Sequence, residues 1–266
     1  MINSNFFNNF FLIPILNILV FLYRGFSFLK IPGAFGWAII SLTILIRLIL
    51  HPFFKQQIET AKKVQELKPH LDKLSKKHKN DQKKLQQEQM KLYQQAGINP
   101  GAGCLFMIIQ IPIFIGLYNT LSLFLMNGGG AKIIENINRV LYFPFLKINS
   151  IDSWFFGFNL ALSPAKTKIW YYFLIPIITA ILQFFQASIS TMPVEEKKTT
   201  NEMIEKKEKD NRDDFQKAMN TQMKFFFPLM IGWFSYSLPV GLSLYWNIFS
   251  IFSIFQYRQL RVKSLK

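Results

Sequence analysis

FFFPLMIGWFSYSLPVGLSLYWNIFSIFSIFQY, residues 225–257, is a run of 33 residues without Asp, Glu, Lys, Arg or His. As one helix rising about 1.5 Å per residue it would reach roughly 50 Å, far beyond the ~30 Å hydrocarbon core of a bilayer. Leu238-Pro239-Val240-Gly241 divides it, because Pro fixes one backbone angle and removes a donor, and Gly completes a tight turn. The run therefore reads as two short membrane spans, Gln222 to Leu238 and Gly241 to Tyr257.

Other charge-poor gaps extend this pattern. Ile31 to Phe54 is broken only by Arg47 and His51, Leu92 to Ala131 contains the apolar run Cys104 to Met126, and Ile169 to Val194 is the third. Together they predict an all-α polytopic membrane protein with five transmembrane helices. The segments expected are 31–54, 100–126, 169–190 and the pair in 222–257, separated by 55–99, 127–168 and 191–221, with a basic tail at 258–266. Composition agrees: half of the 266 residues are hydrophobic, 29 are Phe, and mean hydropathy is +0.19. A disulfide scaffold is excluded because Cys104 is the only cysteine, and disorder is excluded by an aromatic fraction of 16%.

Lys and Arg gather next to spans on the cytoplasmic side. Of the 31, 23 lie on one side: 11 between Lys55 and Asn99, eight between Thr191 and Lys224, and four from Arg258 onward. Seven lie on the other, Arg24, Lys30, Lys132, Arg139, Lys147, Lys166 and Lys168. The N-terminus is thus expected outside and the C-terminus in the cytoplasm. Phe6 to Tyr23 is apolar but interrupted by Pro14 and diluted by Asn8, Asn9 and Asn17. No Lys or Arg precedes it and no small-residue cleavage site follows, so it does not read as a signal peptide. The preferred reading makes 1–30 an interfacial helix on the outer surface; a span with its N-terminus inside is the alternative.

Gln56 to Gln95 reads as a helical hairpin turning at Lys79-Asn80-Asp81. Leu67, Leu71 and Leu74 face Leu85, Met90, Leu92 and Tyr93, Pro69 starts or kinks a helix, and Gly97 with Pro100 ends the second arm. Its charge suits either simple solvation or a basic surface for anionic lipid or ribosomal RNA. Glu195 to Asp214 reads as a flexible loop.

All 15 acidic residues fall outside the expected spans, so no span offers the carboxylate of a proton-coupled carrier or an aspartyl protease. His51, His70 and His78 lack metal-ligand spacing, and no nucleotide-binding Gly-Lys-Ser/Thr motif occurs. Asn127-Gly128-Gly129-Gly130 before Lys132 reads as a connector. Neither enzymatic chemistry nor a cofactor or metal is expected.

Arg47 is the exception to an apolar first span, where an exposed guanidinium costs about 2.5–3.5 kcal/mol on insertion scales. Snorkelling toward Lys55 is one compensation, a water-filled cavity the other. Thr43 lies four residues before Arg47. Thr179, Gln183, Gln186 and Ser190 share one face of the third span, and Ser243, Asn247, Ser250 and Tyr257 recur in the last, beside Trp246. One such stripe is ordinary packing glue; three, with an Arg and no acid, favour a hydrophilic groove.

These residues resemble a known family, the YidC/Oxa/Alb membrane protein insertases. The similarity is densest in Gly36-Trp37-Ala38-Ile39-Ile40-Ser41-Leu42-Thr43 with Ile46-Arg47-Leu48 and Pro52, and in Gly97-Ile98-Asn99-Pro100 with Gly103-Cys104-Leu105 and Gln110-Ile111-Pro112-Ile113-Phe114. Leu117-Tyr118, Phe227-Pro228-Leu229, Pro239-Val240-Gly241-Leu242 and Leu244-Tyr245-Trp246 extend it. The resemblance, to the short bacterial form, implies five helices around a groove open to lipid and cytoplasm, with an outer interfacial helix and a cytoplasmic hairpin. It makes Arg47 the groove arginine and Gln183 and Trp246 groove positions; Thr43, Gln110, Gln186 and Asn247 complete the expected substrate groove. It further implies nascent membrane proteins as substrates, membrane lipid, the ribosome and the Sec translocon as partners, and a bacterial plasma membrane. The outer loop 127–168 matches poorly, and the short tail argues against strong tail-driven ribosome binding. A small-anion channel or carrier using Arg47 is the alternative function, and a structural assembly scaffold a third.

Overall fold

The computed structural model describes residues 5–78, 81–98, 100–125, 130–191 and 211–263. Side chains of 100–110, 190–191, 211–223 and 260–263, and of Gln65, Lys68 and Lys76, are outside the description. A π-helical turn, Asn8–Leu12, leads into α1 (Ile13–Phe28), followed by α2 (Ala34–Ile49), α3 (His51–Glu66), α4 (Lys68–Lys77), α5 (Gln82–Gln95) and α6 (Pro100–Leu125). After α7 (Ala131–Arg139) come a two-stranded hairpin, β1 (Trp154–Phe155) with β2 (Phe158–Asn159), then α8 (Leu174–Thr191), α9 (Asn211–Ser237) and α10 (Val240–Lys263). The protein is an all-α membrane protein. By length and composition two described helical stretches can cross a bilayer, Asn8–Phe28 and Trp170–Ile189; the bent pair Ala34–Ile49 with His51–Val64 makes a third, and Ile111–Leu125 is a shorter apolar helix.

The expected first span does not run unbroken to Phe54. α2 stops at Ile49 and α3 leaves at 62°, because Pro52 has no N–H to return to Leu48 and its ring crowds that carbonyl. Nor is the first hairpin arm one helix: Leu67 caps α4, whose second residue is Pro69. Asp81 starts α5, its carboxylate accepting from Lys84 N–H at 3.0 Å, while Lys79 and Asn80 lie outside the described residues. α4 packs on α5, burying Leu85, although Met90 is exposed. Gly97, at φ 65°, ends this arm: its N–H reaches Gln94 O at 3.0 Å and Ile98 N–H reaches Tyr93 O at 2.8 Å, a Schellman close.

The apolar run that opened the reading folds as expected into two helices meeting at Leu238-Pro239. Both outrun their predicted ends, since α9 begins at Asn211, within the segment read as a loop, and α10 continues to Lys263. The rest of that loop, 192–210, lies outside the described residues, as do 127–129 of the Asn127–Gly130 connector. At the turn, Val240 and Gly241 donate to Leu162 O and Leu160 O, both at 2.9 Å. A Cβ on Gly241 would sit 2.5 Å from Leu125 Cδ1, so Gly lets α6 and α10 close together.

Residues 130–168, the described part of the expected loop 127–168, are folded. Phe156 and Gly157 turn β1 into β2 with φ of 45° and 85°, the geometry of a tight hairpin. Phe155 from this hairpin covers Gly33 and Gly36 at the start of α2. Asn17 of α1 is 4% exposed and stitches the segment down: Nδ2 donates to Val140 O at 3.1 Å and Oδ1 accepts from Tyr142 N–H at 2.7 Å. Tyr23 adds a contact to Ser150 O at 3.4 Å.

Leu16, Leu19, Phe35, Leu42, Leu121 and Tyr172 fill a core in which α1, α2 and α6 meet the 131–173 segment. The opposite faces are apolar as well. Ile177, Ile181 and Phe185 on α8, Leu229 and Trp233 on α9, and Ile251 and Phe255 on α10 are all exposed, a surface that suits lipid and not water. α10 is central, packing on both α2 and α8, and α8 packs on α9.

Candidate functional site: the arginine between the second and tenth helices

Arg47 lies in the last turn of α2 and points at α10. It is 3% exposed, so its charge reaches neither open water nor the interface; a cage of protein groups compensates for it. Its guanidinium carbon stands 3.6 Å from the centroid of Phe249 and 4.0 Å from that of Phe54, a cation–π sandwich. Nη2 donates to Phe249 O at 3.2 Å and to Ser253 Oγ, and Nη1 donates to Gln256 Oε1 at 3.3 Å. Gln256 in turn meets His51 Nδ1 at 3.0 Å. Among the described residues Nε is buried without a partner and no carboxylate pairs with the guanidinium. Beside it lies a cavity of about 10 Å³, lined by Thr43, Ile46, Leu50, Ile113 and Tyr245 along with the caging rings. That is room for about one water.

Thr43 and Arg47 are thus brought together as the i, i+4 spacing implies, with Thr43 Oγ1 donating back to Ile39 O at 2.7 Å. The other expected residues lie elsewhere around α10. Gln183 is 8% exposed on α8, and Gln186 Oε1, Asn247 Oδ1 and Ser250 Oγ are buried without hydrogen-bond partners among the described residues. Trp246 turns to α6, where its ring stacks on Phe114 at 6.2 Å and 10°. The side chains of Gln110 and Ser190 are outside the described residues. Toward the α9–α10 turn the polar stripe closes on itself: Ser235 donates to Thr179 Oγ1 at 3.2 Å and lies 2.7 Å from Ser243 Oγ, all three fully buried.

Sequence reasoning missed Phe54, Phe249, Ser253, Gln256 and His51. The signal was present: Phe249, Ser253 and Gln256 fall at i, i+4 and i+7 on α10, a second stripe beside Ser243, Asn247 and Ser250, and His51 is four residues after Arg47.

The hairpin carries exposed charge, including Lys55, Lys63, Lys83, Lys84 and Lys91. Lys91 hydrogen-bonds Glu88 at 3.0 Å, and that bond, with the lysine's charge, holds the carboxyl below the usual carboxylate range. Burial pushes the Tyr93 phenol up.

The family model described as 60Kd inner membrane protein matches residues 27–264. The protein named "Inner membrane protein ALBINO3, chloroplastic" of Arabidopsis thaliana is 33% identical over 252 residues, 92% of this chain and 50% of that protein. "Membrane protein insertase YidC" of Oceanobacillus iheyensis is 31% identical over 226 residues, covering 84% of this chain and 72% of that one. A protein of the same name from Caulobacter vibrioides is 45% identical over 113 residues, 42% of this chain and 17% of its own. The chain spans about half the length of the first of these relatives.

Proposed function

The chain belongs to the 60Kd inner membrane protein family, and from that membership we propose that it is a membrane protein insertase, moving short hydrophilic segments of nascent proteins across the bilayer while their apolar segments pass to lipid. α2, α6, α8, α9 and α10 are its five spans, and the polar faces of α2, α8 and α10 form the substrate groove. The observation that carries this reading is Arg47: a permanent positive charge, 3% exposed, with no acid paired to it among the described residues. In a site of lowered dielectric such a charge attracts an acidic or polar tail more strongly than it would in water. The unpartnered polar atoms of Gln186, Asn247 and Ser250 support the same use, since a passing polar segment supplies the partners they lack. Release follows when the substrate's apolar helix partitions into lipid, gaining roughly 25 cal/mol per Å² removed from water.

The proposed orientation places the N-terminus outside and the C-terminus in the cytoplasm of a bacterial plasma membrane; relatives named as chloroplast proteins make an organelle membrane the other setting. α1 rests on the outer surface, a placement supported by its contacts through Asn17 and Tyr23 with the 140–152 stretch. The basic hairpin is the surface for anionic lipid and the ribosome, and the Sec translocon is the partner for longer substrates. Close packing of Gly241 with Leu125 and Leu160 supports a groove closed at the α9–α10 turn, against a channel for small anions.

The test is protease protection of a single-span protein with an acidic N-terminal tail, synthesised beside liposomes with and without this protein. Protection that depends on the protein is expected. Its absence, with the protein folded and oriented, would direct attention to anion flux.

A further inference from the structure

A guanidinium has five N–H donors and no acceptor. The Gln256 atom facing Arg47 Nη1 at 3.3 Å is therefore Oε1, which turns Nε2, a donor, toward His51 Nδ1 at 3.0 Å. This second contact is a hydrogen bond only when Nδ1 accepts, which requires a neutral His51 with its proton on Nε2. We propose that Gln256 and His51 are positioning residues that form a proton-sensitive latch on Arg47. With His51 neutral, the latch holds Nη1 of Arg47 toward α10; a proton on Nδ1 opens it and frees Nη1 for an anionic substrate segment, while Phe249 and Ser253 keep the rest of the guanidinium in place. This rests on the reading of Arg47 as the group that draws in acidic tails.

The opening follows from donor and acceptor counting. Once Nδ1 holds a proton, it opposes Gln256 Nε2 as donor to donor. Rotating the amide gives Oε1 to His51 but turns Nε2 toward Arg47, again donor to donor. With one amide atom for each partner neither orientation satisfies both ends, so the imidazolium competes with Arg47 for Oε1 and the Nη1 link gives way. The imidazolium also adds a positive charge near the guanidinium, which further favours an incoming carboxylate.

The charges around His51 leave this logic intact. α2 brings Arg47, and α10 brings Tyr257 and Arg258 next to Gln256. On α3 itself the nearest are Lys55 and Glu59, paired with each other at 3.8 Å. α6, which packs on α3, contains no Asp, Glu, Lys, Arg or His from Pro100 to Leu125, and α4 joins α3 at its far end. Histidine is the side chain whose ordinary titration falls between pH 5 and 8, where a substrate carboxylate remains ionised.

The experiment uses the full chain in liposomes and two single-span substrates that differ only in an acidic or a neutral N-terminal tail. Their ratio of protease protection, acidic over neutral, is followed from pH 8 to pH 5.5. For the native chain the ratio is expected to rise about 2- to 10-fold on acidification, the scale of one hydrogen bond. His51→Gln, able to accept from Gln256 but not to take up a proton, holds the pH 8 ratio throughout; Gln256→Leu, with no latch, holds the pH 5.5 ratio. A measurement that needs no change at the latch is the ring ¹⁵N shifts of His51 in a chain carrying His70→Gln and His78→Gln, which should report the Nε2–H tautomer at pH 8. A flat native ratio or the Nδ1–H tautomer overturns the latch. Arg47→Ala separates the two readings: if it lowers the acidic ratio while the native profile is flat, the latch fails and the groove reading stands. If it leaves the acidic ratio unchanged, the groove role of Arg47 fails as well.

Discussion

Phe249 holds Arg47 twice, with its ring 3.6 Å from the guanidinium carbon and its carbonyl 3.2 Å from Nη2. One residue of α10 thus supplies both a face and an edge of the cage, which fixes α2 against α10 at that level. Phe249→Leu keeps the carbonyl and removes the ring. A cation–π contact contributes about 0.5–2 kcal/mol depending on desolvation, so Arg47 should leave its cage more often. Modification by phenylglyoxal, mapped by mass spectrometry, is expected to speed up at least about twofold at Arg47 and not at exposed Arg139. An unchanged rate at Arg47 would mean that the ring does not hold it.

Arg47→Lys and Arg47→Ala divide charge from geometry. Lysine keeps the charge but lacks the planar fork that meets Phe249 O, Ser253 and Gln256 together. Hydrogen bonds to a charged group are worth about 1.5–3 kcal/mol. Arg47→Ala should therefore lower insertion of acidic tails roughly tenfold or more, with Arg47→Lys between it and the native chain. Equal loss for acidic and neutral tails in protease protection would contradict an electrostatic role.

Asn17→Leu tests the stitching of the 140–152 stretch to α1. It removes the acceptor for Tyr142 N–H and the donor to Val140 O, leaving backbone groups unpaired at a cost of about 1–3 kcal/mol each if they stay dry. Limited proteolysis of the 140–152 stretch should become faster and the thermal midpoint should fall. Asn17→Asp restores only the acceptor, so it should recover only part of the protection.

How much of this was legible in the sequence depended on the range of the signal. The split at Leu238-Pro239 and the stop at Gly97 are local backbone chemistry, and both stand in the fold. The bend at Leu50 was equally local, carried by Pro52, but the continuous apolar pattern on either side obscured it. Asn17 read as a residue diluting an apolar run, because its partners lie more than 120 residues away. The same distance hid the cage: Thr43 and Arg47 are neighbours on one helix, whereas Ser253 and Gln256 reach Arg47 only through the pairing of α2 with α10. Periodicity finds a polar face; it does not say which helix that face meets.

Gly36→Ala probes the seat of the β1–β2 hairpin. A Cβ there would overlap Phe155 Cδ2, so the ring must move, at a cost of roughly 1–3 kcal/mol for an overpacked site. Phe155→Ala leaves a cavity by itself but relieves the clash. The double variant should be more stable than the sum of the single effects predicts, and a thermal-unfolding double-mutant cycle measures the coupling. Simple additivity would show that Phe155 is not seated on Gly36.

The groove and channel readings differ in their access, and Gln183 can report it. It lies on α8 at 8% exposure, four residues from Thr179, where Ser235 and Ser243 complete a buried polar contact toward the α9–α10 turn. If that contact and the packing of Gly241 on Leu125 close the outer end, reagents reach residue 183 only from the cytoplasm. In a Cys104→Ser background, Gln183→Cys should therefore react with a membrane-impermeant maleimide added to the cytoplasmic face and stay unmodified by the same reagent added outside. Reaction from both faces would require a path through the protein, which a one-sided groove lacks and an anion channel needs.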